Sequence, residues 1–373
     1  MNGGSITAAS ASARPVDDER EREALARITR VRANAPRFRD ERITMAHGAG
    51  GRATDALVRG LLLPAFASPV LDALDDAGII AVDGLDLLLT TDSFVVRPLR
   101  FPGGSIGELA VNGTINDLAV AGARPLALTL SLVLEEGLTA AVLREETAAI
   151  AKAAASAGVV IVAGDTKVVE RGHADGMYIC TTGLGRRDSR AKLSPAALQP
   201  GDHILVSGSI GDHGTAIMLA RGEFELESTV VSDTRSLWPA ADALLDFGSA
   251  LRCMRDATRG GVASVLNELA ETSRVGVLVH EQQVPVLPGV AGACELLGID
   301  PMYVANEGKL VAVVAASVAA DALTALRAVP GCDAAADIGV VTTEPEAMVL
   351  VISALGGRRV MDRLTGDPLP RIC

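Results

Sequence analysis

Aromatic residues are scarce in this chain of 373 residues, at 2% of the total, so few side chains are available to stack on nucleobases. The five cysteines form an odd number and include no C-x-x-C pair, which is poor material for a disulfide framework or a thiolate metal site. No apolar run is long enough to span a bilayer, and the first residues lack the apolar core of a secretion signal. We therefore expect a cytoplasmic protein that binds neither nucleic acid nor membranes.

Positive charge is also in the minority, with 34 basic against 46 acidic residues and a formal net charge of −12. This balance argues against a generally basic surface for nucleic acids or anionic membranes. Apolar residues make up 49% of the chain and are nearly all aliphatic, which favours helices packed closely on sheets. The length predicts two domains of ordinary size.

The composition changes along the chain and suggests where the domains begin and end. Residues 1–42 are rich in Ser and Ala and then in Asp, Glu and Arg, so they predict a mobile charged extension. A charged stretch at residues 186–192 predicts a boundary between two α/β domains, at 43–188 and 189–360. Residues 361–373 then form a predicted flexible tail.

Two apolar runs in the first domain are each followed by an aspartate. Leu87–Thr91 precedes Asp92, and Val159–Ala163 precedes Gly164-Asp165-Thr166-Lys167. We interpret both runs as buried strands whose following loops bring Asp92 and Asp165 together, where they could hold Mg²⁺ and a nucleotide. Lys167 would then counter phosphate charge. A surface turn is the alternative for either loop.

Between these runs, the sequence predicts a helix with polar side chains along one face. Ser105 and Glu108 have the spacing of a capping box at its start. Asn116 falls on the same face as Glu108, with Asp117 beside it. Such a stripe on an otherwise apolar helix is either solvated or faces a ligand.

Three further turns combine glycine with charged residues. Gly211-Asp212-His213-Gly214 follows a predicted strand but lacks the features of a Walker or dinucleotide motif. Arg255–Gly261 precedes a helix, whose N-terminus favours anions. In Asn306-Glu307-Gly308-Lys309, the carboxylate beside a glycine is a candidate general base, with a plain turn as the alternative.

The C-terminus carries a thiol on an extended strap. Pro368 and Pro370 favour extended backbone, and Cys373 is the last residue. A nucleophile at the tip of such a strap can enter a cleft or leave it. The alternative is an ordinary frayed end.

Together these segments resemble the HypE family of hydrogenase maturation proteins, within the aminoimidazole ribonucleotide synthetase-like superfamily. The resemblance runs from about Ile43 to the end and is carried by these motifs in order: Ala46-His47-Gly48-Ala49-Gly50-Gly51, Thr91-Asp92-Ser93, Asn116-Asp117, Gly164-Asp165-Thr166-Lys167, Gly211-Asp212-His213-Gly214, Arg255-Asp256-Ala257-Thr258-Arg259-Gly260-Gly261, Asn306-Glu307-Gly308-Lys309 and Pro370-Arg371-Ile372-Cys373. It implies two α/β domains, each a mixed sheet covered by helices. The first domain would bind ATP and pair in a homodimer.

The resemblance also implies an activity directed at the chain's own C-terminus. A HypF-like carbamoyltransferase would load Cys373 with a carbamoyl group. The chain would then use ATP to remove water, which converts the thiocarbamate to a thiocyanate. The cyano group would pass to the iron of a [NiFe]-hydrogenase precursor held on HypC- and HypD-like maturation proteins.

The same resemblance assigns roles to individual residues. Cys373 would carry the substrate, and either Glu307 or Lys167 would be the base. Mg²⁺ would bind Asp92, Asp117 and Asp165. The residues expected to hold ATP and its metal are Asp92, Asn116, Asp117, Gly164, Asp165, Arg259 and Gly260.

Two other functions stay open at this point. One is a small-molecule synthetase of the same superfamily, for selenophosphate or aminoimidazole ribonucleotide, whose activity would survive deletion of Cys373. The other is a carrier that only presents a modified Cys373 and does not turn over ATP.

Overall fold

The computed structural model describes residues 23, 25, 37–222, 229–364 and 372–373. The residues described from 37 onward belong to one compact unit. The predicted extension therefore falls largely outside the described residues, as does most of the predicted tail. The division at residues 188 and 189 stays a prediction.

The first half of the compact unit is built on a five-stranded mixed sheet in the order β1-β2-β7-β5-β6. Strands β5 and β6 pair in parallel, and the other neighbours pair antiparallel. The elements are, in chain order, α1 (Arg52–Leu57), α2 (Leu63–Phe66), β1 (Gly78–Val82), β2 (Leu85–Phe94), β3 (Arg100–Phe101), β4 (Gly104–Ser105), α3 (Ile106–Val120), β5 (Ala123–Glu135), α4 (Ala140–Ala157), β6 (Val160–Val169) and β7 (Met177–Arg187).

Helix α3 begins where the sequence predicts, directly after Ser105, but the predicted capping box does not form. The Ser105 side chain makes no capping hydrogen bond. Instead the backbone N–H of Gly107 donates to Glu146 Oε2 on α4 at 3.0 Å. The neighbouring helix thus satisfies a donor of the first turn, and α3 packs on β2, β5 and β7.

Strands β2 and β6 both continue past their apolar runs, which corrects the predicted loops. Strand β2 extends to Phe94, so Asp92 lies within a strand. Strand β6 extends to Val169 and includes Asp165 and Lys167, because backbone pairing with β5 continues as far as Glu135. Strand β6 lies at the sheet edge, and nearly all of its residues are exposed.

The second half is built on a seven-stranded sheet in the order β14-β13-β10-β12-β8-β11-β9. Strands β10 and β13 pair in parallel, and the other described neighbours pair antiparallel. Its elements are β8 (His203–Val206), α5 (Asp212–Ala220), α6 (Trp238–Leu245), β9 (Leu251–Asp256), α7 (Gly261–Ser273), β10 (Gly276–His280), α8 (Pro288–Leu297), β11 (Leu310–Val314), α9 (Ala319–Ala328), β12 (Ala336–Thr342), β13 (Met348–Ile352) and β14 (Arg358–Met361).

Helices cover both faces of this second sheet. Along β8, Ile204 and Val206 join a core cluster with α7, while Leu205 joins another with α6 and α9. This division follows from the alternation of side chains along a strand. Helix α3 also contacts α6 and β9, so it connects the two halves. Among the described residues, no helix is both long enough and apolar enough to cross a membrane.

Candidate active site

A cleft of about 470 Å³ brings together residues from both halves. Strand β2, helix α3, the turn between β9 and α7, and the turn before β11 all contribute. The residues lining it are Gly48, Gly50, Thr54, Asp76, Asp92, Ser93, Phe94, Gly113, Asp117, Asp256, Thr258, Arg259, Glu307 and Cys373.

Four aspartates form a carboxylate cluster in this cleft: Asp76, Asp92, Asp117 and Asp256. Burial raises the pKa of each of them, and for Asp76 the value reaches about 7. The nearby charge of Asp92 raises the pKa of Asp117 and Asp256 further. The cluster therefore holds protons that isolated carboxylates would release.

Hydroxyl groups orient three of these carboxylates. Thr90 Oγ1 donates to Asp117 Oδ2 at 2.7 Å, and Thr114 Oγ1 donates to Asp92 Oδ2 at 3.3 Å. The hydroxyl of Thr258 donates to Asp256. Each carboxylate keeps further lone pairs that are not used by these hydroxyls.

The turn that carries Glu307 is held by the buried carboxylate of Asp233. The backbone N–H groups of Glu307 and Gly308 donate to it at 3.1 and 3.3 Å, and Lys309 Nζ donates to it at 3.0 Å. Burial acts to raise the pKa of Asp233, but the charge of Lys309 and the hydrogen bonds from Lys309 and the Glu307 backbone lower it overall. At Gly308 a Cβ atom would collide with the backbone of Asp233, so only glycine fits there.

The carboxyl group of Glu307 lies in the cleft with an unused acceptor. Its residue is 3% exposed, and Oε1 has no hydrogen-bond partner in the described part of the chain. Burial raises its pKa well above the ordinary value, and the charges of Asp256 and Asp233 add to this shift. A raised pKa gives this carboxylate a greater proton affinity, which is what a general base requires.

Cys373 lies inside the cleft and is not a frayed end. Arg259 Nε donates to its Sγ at 3.0 Å, and the N–H of Val95 donates to its carbonyl oxygen at 3.2 Å. The residue is 5% exposed, and burial raises the pKa of its thiol to about 12, although Arg259 opposes this shift. Arg259 also donates to the carbonyl oxygen of Gly48, which ties the glycine-rich loop to the turn before α7.

Asn116 and Gly260 were predicted to hold ATP and its metal, but the structure gives both of them roles in the backbone arrangement. Asn116 Nδ2 donates to the carbonyl oxygens of Arg235 and Glu307 at 3.0 and 3.1 Å, and its Oδ1 accepts the N–H of Leu237 at 2.7 Å. With its amide engaged by backbone, Asn116 links the two halves and does not line the cleft. Gly260 has φ +76° and shapes the turn that presents Arg259.

Three other predicted residues, Gly164, Asp165 and Lys167, lie away from the cluster on β6. Asp165 and Lys167 are exposed and form an ion pair with each other at 2.7 Å, and the hydrogen bond from Lys167 lowers the pKa of Asp165. Asp165 is in register with Ser93 across two intervening strands, about 14 Å away at ordinary strand spacing. Within one chain, Asp92 and Asp165 therefore do not converge as predicted, because β2 and β6 are not neighbours.

The sequence reasoning missed several contributors. Asp256 stands in the Arg255–Gly261 motif, so the motif itself gave a signal for it. Asp76 and Asp233 lie outside the helices and strands and in no motif, and neither carried a pattern that marks it.

Comparison with known proteins assigns both halves of the chain to one protein family. The family of AIR synthase related proteins matches with its N-terminal domain at residues 74–187 and its C-terminal domain at residues 199–352. The carbamoyl dehydratase HypE of Rhizobium leguminosarum bv. viciae is 48% identical over 333 residues, which cover 89% of this chain and 95% of that protein. The chain belongs to the HypE family. The HypE of Escherichia coli K12 is 42% identical, over 89% of this chain and 99% of that protein.

Solved structures of HypE proteins agree with this assignment. The crystal structure of a HypE–HypF complex has a TM-score of 0.79 at 42% identity, covering 83% of this chain and all of that one. A HypE in complex with ATP has a TM-score of 0.75 at 43% identity, covering 89% and 100%. The HypE family comprises carbamoyl dehydratases of hydrogenase maturation. The predicted family and the predicted pair of α/β domains are confirmed.

Proposed function

We propose that this HypE protein uses ATP to remove water from a carbamoyl group carried on its own Cys373, and so makes the cyanide ligand for the iron of a [NiFe]-hydrogenase. The observation that carries the proposal is the position of Cys373 Sγ. It lies in the same cleft as the carboxylate cluster and Glu307, and it accepts a hydrogen bond from Arg259. The substrate would therefore meet the catalytic groups only when the tail is inserted.

Binding of Mg²⁺ and ATP is supported by the chemistry of the carboxylate cluster. Asp92 and Asp117, with Asp256 beside them, have raised pKa values that a divalent cation would relieve. Four aspartates line the cleft, but among the described residues no three His, Cys, Asp or Glu side chains are arranged to hold a metal ion by themselves. Phosphate and water would therefore complete the coordination shell of the metal. When bound, Mg²⁺ neutralises phosphate charge. The ATP complex of a HypE relative supports the nucleotide.

The dehydration itself needs a leaving group and a base. Transfer of the γ-phosphoryl group to the carbamoyl oxygen makes that oxygen leave as phosphate. The C–O bond then breaks while nitrogen loses its two protons and forms the C≡N bond, so ATP and thiocarbamate give ADP, phosphate and thiocyanate. Glu307 is the base that we assign to one of these protons, since the residue lines the cleft and its Oε1 has no hydrogen-bond partner among the described residues.

Loading of Cys373 would take place outside the cleft. Inside it, a thiol pKa of about 12 leaves about a thousandfold less thiolate at neutral pH than the ordinary value of 9.0 would give. A HypF-like carbamoyltransferase is therefore the expected partner for the withdrawn tail, and the HypE–HypF complex of relatives supports it. Transfer of the cyano group to HypC- and HypD-like proteins, and a location in the cytoplasm, belong to the same proposal.

A homodimer would explain the position of Asp165 and Lys167. Among the strands that the structure describes, β6 is an edge strand, and it has an exposed apolar stretch, Val160, Ile161 and Val162. Exposed apolar edges of this kind are covered in native proteins. We propose that two first halves pair through this sheet and that Asp165 and Lys167 complete the partner's cleft.

The test is intact-protein mass spectrometry after incubation with the carbamoyltransferase and carbamoyl phosphate, with and without Mg-ATP. We expect a carbamoyl adduct on the wild type that loses one water only when ATP is present. The Cys373→Ala variant should gain no adduct. An adduct that ATP leaves unchanged would contradict the dehydratase assignment, and Glu307→Gln should accept the carbamoyl group but dehydrate it about 100-fold more slowly.

A further inference from the structure

His213 is a buried histidine for which the proposed chemistry has no use. It is the second residue of α5, in the Gly211-Asp212-His213-Gly214 turn, and it is fully buried. Its ring packs edge-on against Phe101 with centroids 5.5 Å apart. It does not line the cleft that holds the carboxylate cluster.

Both ring nitrogens of His213 have hydrogen-bond partners. Nδ1 lies 2.8 Å from Ser232 Oγ, and Nε2 lies 2.6 Å from the carbonyl oxygen of Ile372. Because a carbonyl oxygen only accepts, Nε2 carries the proton and donates, and Nδ1 accepts from the hydroxyl of Ser232. Burial lowers the pKa of His213, so the ring is neutral at pH 7 and this single tautomer is retained.

The bond to Ile372 differs in kind from the bond to the thiol. Arg259 contacts the Sγ atom of Cys373, which changes when the residue is carbamoylated or cyanated. His213 contacts a backbone carbonyl one residue earlier, which stays the same in every state of the sulfur. Its hold on the chain end is therefore independent of the load that the sulfur carries.

We propose that His213, oriented by Ser232, is a positioning residue that anchors the inserted C-terminus by its backbone. This role rests on the proposed function, in which the tail is loaded outside the cleft and dehydrated inside it. The anchor favours the inserted state, so it assists dehydration and opposes loading. Its removal should slow dehydration without slowing loading, whereas a purely structural role would slow both.

The experiment compares His213→Leu, which loses both hydrogen bonds, with His213→Gln, which keeps an amide donor near the position of Nε2. The matched control is His203→Leu on β8, which loses a half-buried histidine bound to Asp337 and remote from the tail. Alkylation of Cys373 by iodoacetamide, followed on the C-terminal peptide, reports tail withdrawal. Loading and single-turnover dehydration are followed by intact mass.

For His213→Leu we expect Cys373 alkylation to be about tenfold faster, loading to be unchanged or faster, and dehydration to be about tenfold slower, as suits one buried hydrogen bond. The rates of alkylation and dehydration for His213→Gln should lie between those of His213→Leu and wild type. The rates for His203→Leu should match those of wild type. Should His213→Leu fail to fold, Ser232→Ala takes its place, with an alkylation increase in the same direction.

Unchanged alkylation in a folded His213→Leu or Ser232→Ala protein would overturn the anchor, and so would a parallel loss of loading and dehydration. Failure of the proposed function has a different signature. In that case wild-type Cys373 gains no carbamoyl group or never dehydrates it, while alkylation of the free thiol still distinguishes His213→Leu from wild type.

Discussion

Two apolar strands of similar composition, β6 and β11, have opposite environments. All five residues of β11, Leu310–Val314, are buried, since it pairs on both sides and helices cover both faces of its sheet. Strand β6 begins with Val160-Ile161-Val162-Ala163, yet it is exposed along nearly its whole length. We expect the second sheet to be complete within one chain and the first sheet to be completed by a second copy. The difference indicates where a second copy is expected to pack.

The largest effect is expected from a charge placed in the complete sheet. Val311 is fully buried, so Val311→Asp would place a carboxylate among aliphatic side chains without a partner. We expect a cost of about 4 kcal/mol or more and little folded protein. Urea denaturation and soluble yield measure this effect. A melting temperature within about 2 °C of wild type would show that β11 is not the centre of a complete core.

The same change in the incomplete sheet should leave the fold intact and abolish pairing. Val162 is 62% exposed, so Val162→Asp adds a solvated charge to the single chain but a repulsive one to a dimer interface. Light scattering should report the monomer mass of 38.3 kDa with an unchanged circular dichroism spectrum. A variant that keeps twice that mass would place the dimer interface elsewhere.

Mixing two inactive variants tests whether β6 completes the partner's cleft. Asp92→Asn and Asp165→Asn should each reduce ATP-dependent dehydration by about 100-fold or more. In a heterodimer of the two, one cleft is intact and the other carries both changes. When the two variants are co-expressed in equal amounts and pair at random, half of the dimers are heterodimers. Activity should then recover to about one quarter of the wild-type value. If purified heterodimers show no recovery, Asp165 does not act across the interface.

The smallest effect is expected on the dependence of stability on pH, to which buried and exposed carboxylates contribute differently. The pKa of Asp76 is raised from 3.8 to about 7, and the pKa of Asp117 is also raised, so the folded state holds protons that the unfolded state releases. Stability should therefore fall as pH rises from about 4 to 7, with a loss of about 3 °C or more in melting temperature. Mg²⁺ should reduce this loss.

The control for the pH experiment is a pair of matched variants. Asp117→Asn removes one buried titrating group and should flatten the dependence on pH. Asp165→Asn changes an exposed carboxylate whose pKa is lowered, and should leave the slope between pH 5 and 7 unchanged. If the melting temperature depends on pH equally in the two variants, the buried carboxylate of Asp117 is not a source of the dependence.

Local pattern predicted most of the elements but not their environments. The apolar runs gave the positions of β2 and β6, and α3 begins directly after Ser105 as predicted. Whether an apolar strand is buried depends on its neighbours in the sheet, and one strand's sequence does not contain that information. For the same reason, the sequence predicted that Asn116 binds a ligand and did not show that its amide binds backbone. Its backbone partners, Arg235, Leu237 and Glu307, lie about 120 to 190 residues later.

The site was predictable where a motif of the sequence contained a charged residue or a thiol. Asp92, Asp117, Arg259, Glu307 and Cys373 all line one cleft, although they come from five separate segments. Asp76 and Asp233 were not found, because each acts through contacts with distant residues and neither has a local pattern.

The buried position of Cys373 has a consequence for the lifetime of the protein between reactions. Oxidants attack the thiolate, and a thiol with a pKa of about 12 that is 5% exposed offers them almost none. A chain whose end stays inserted would thus keep reduced the sulfur that we propose carries the substrate. Sulfenic acid should form on Cys373 chiefly during the intervals when the end is withdrawn, so time spent outside the cleft sets how fast the enzyme is lost to oxidative damage.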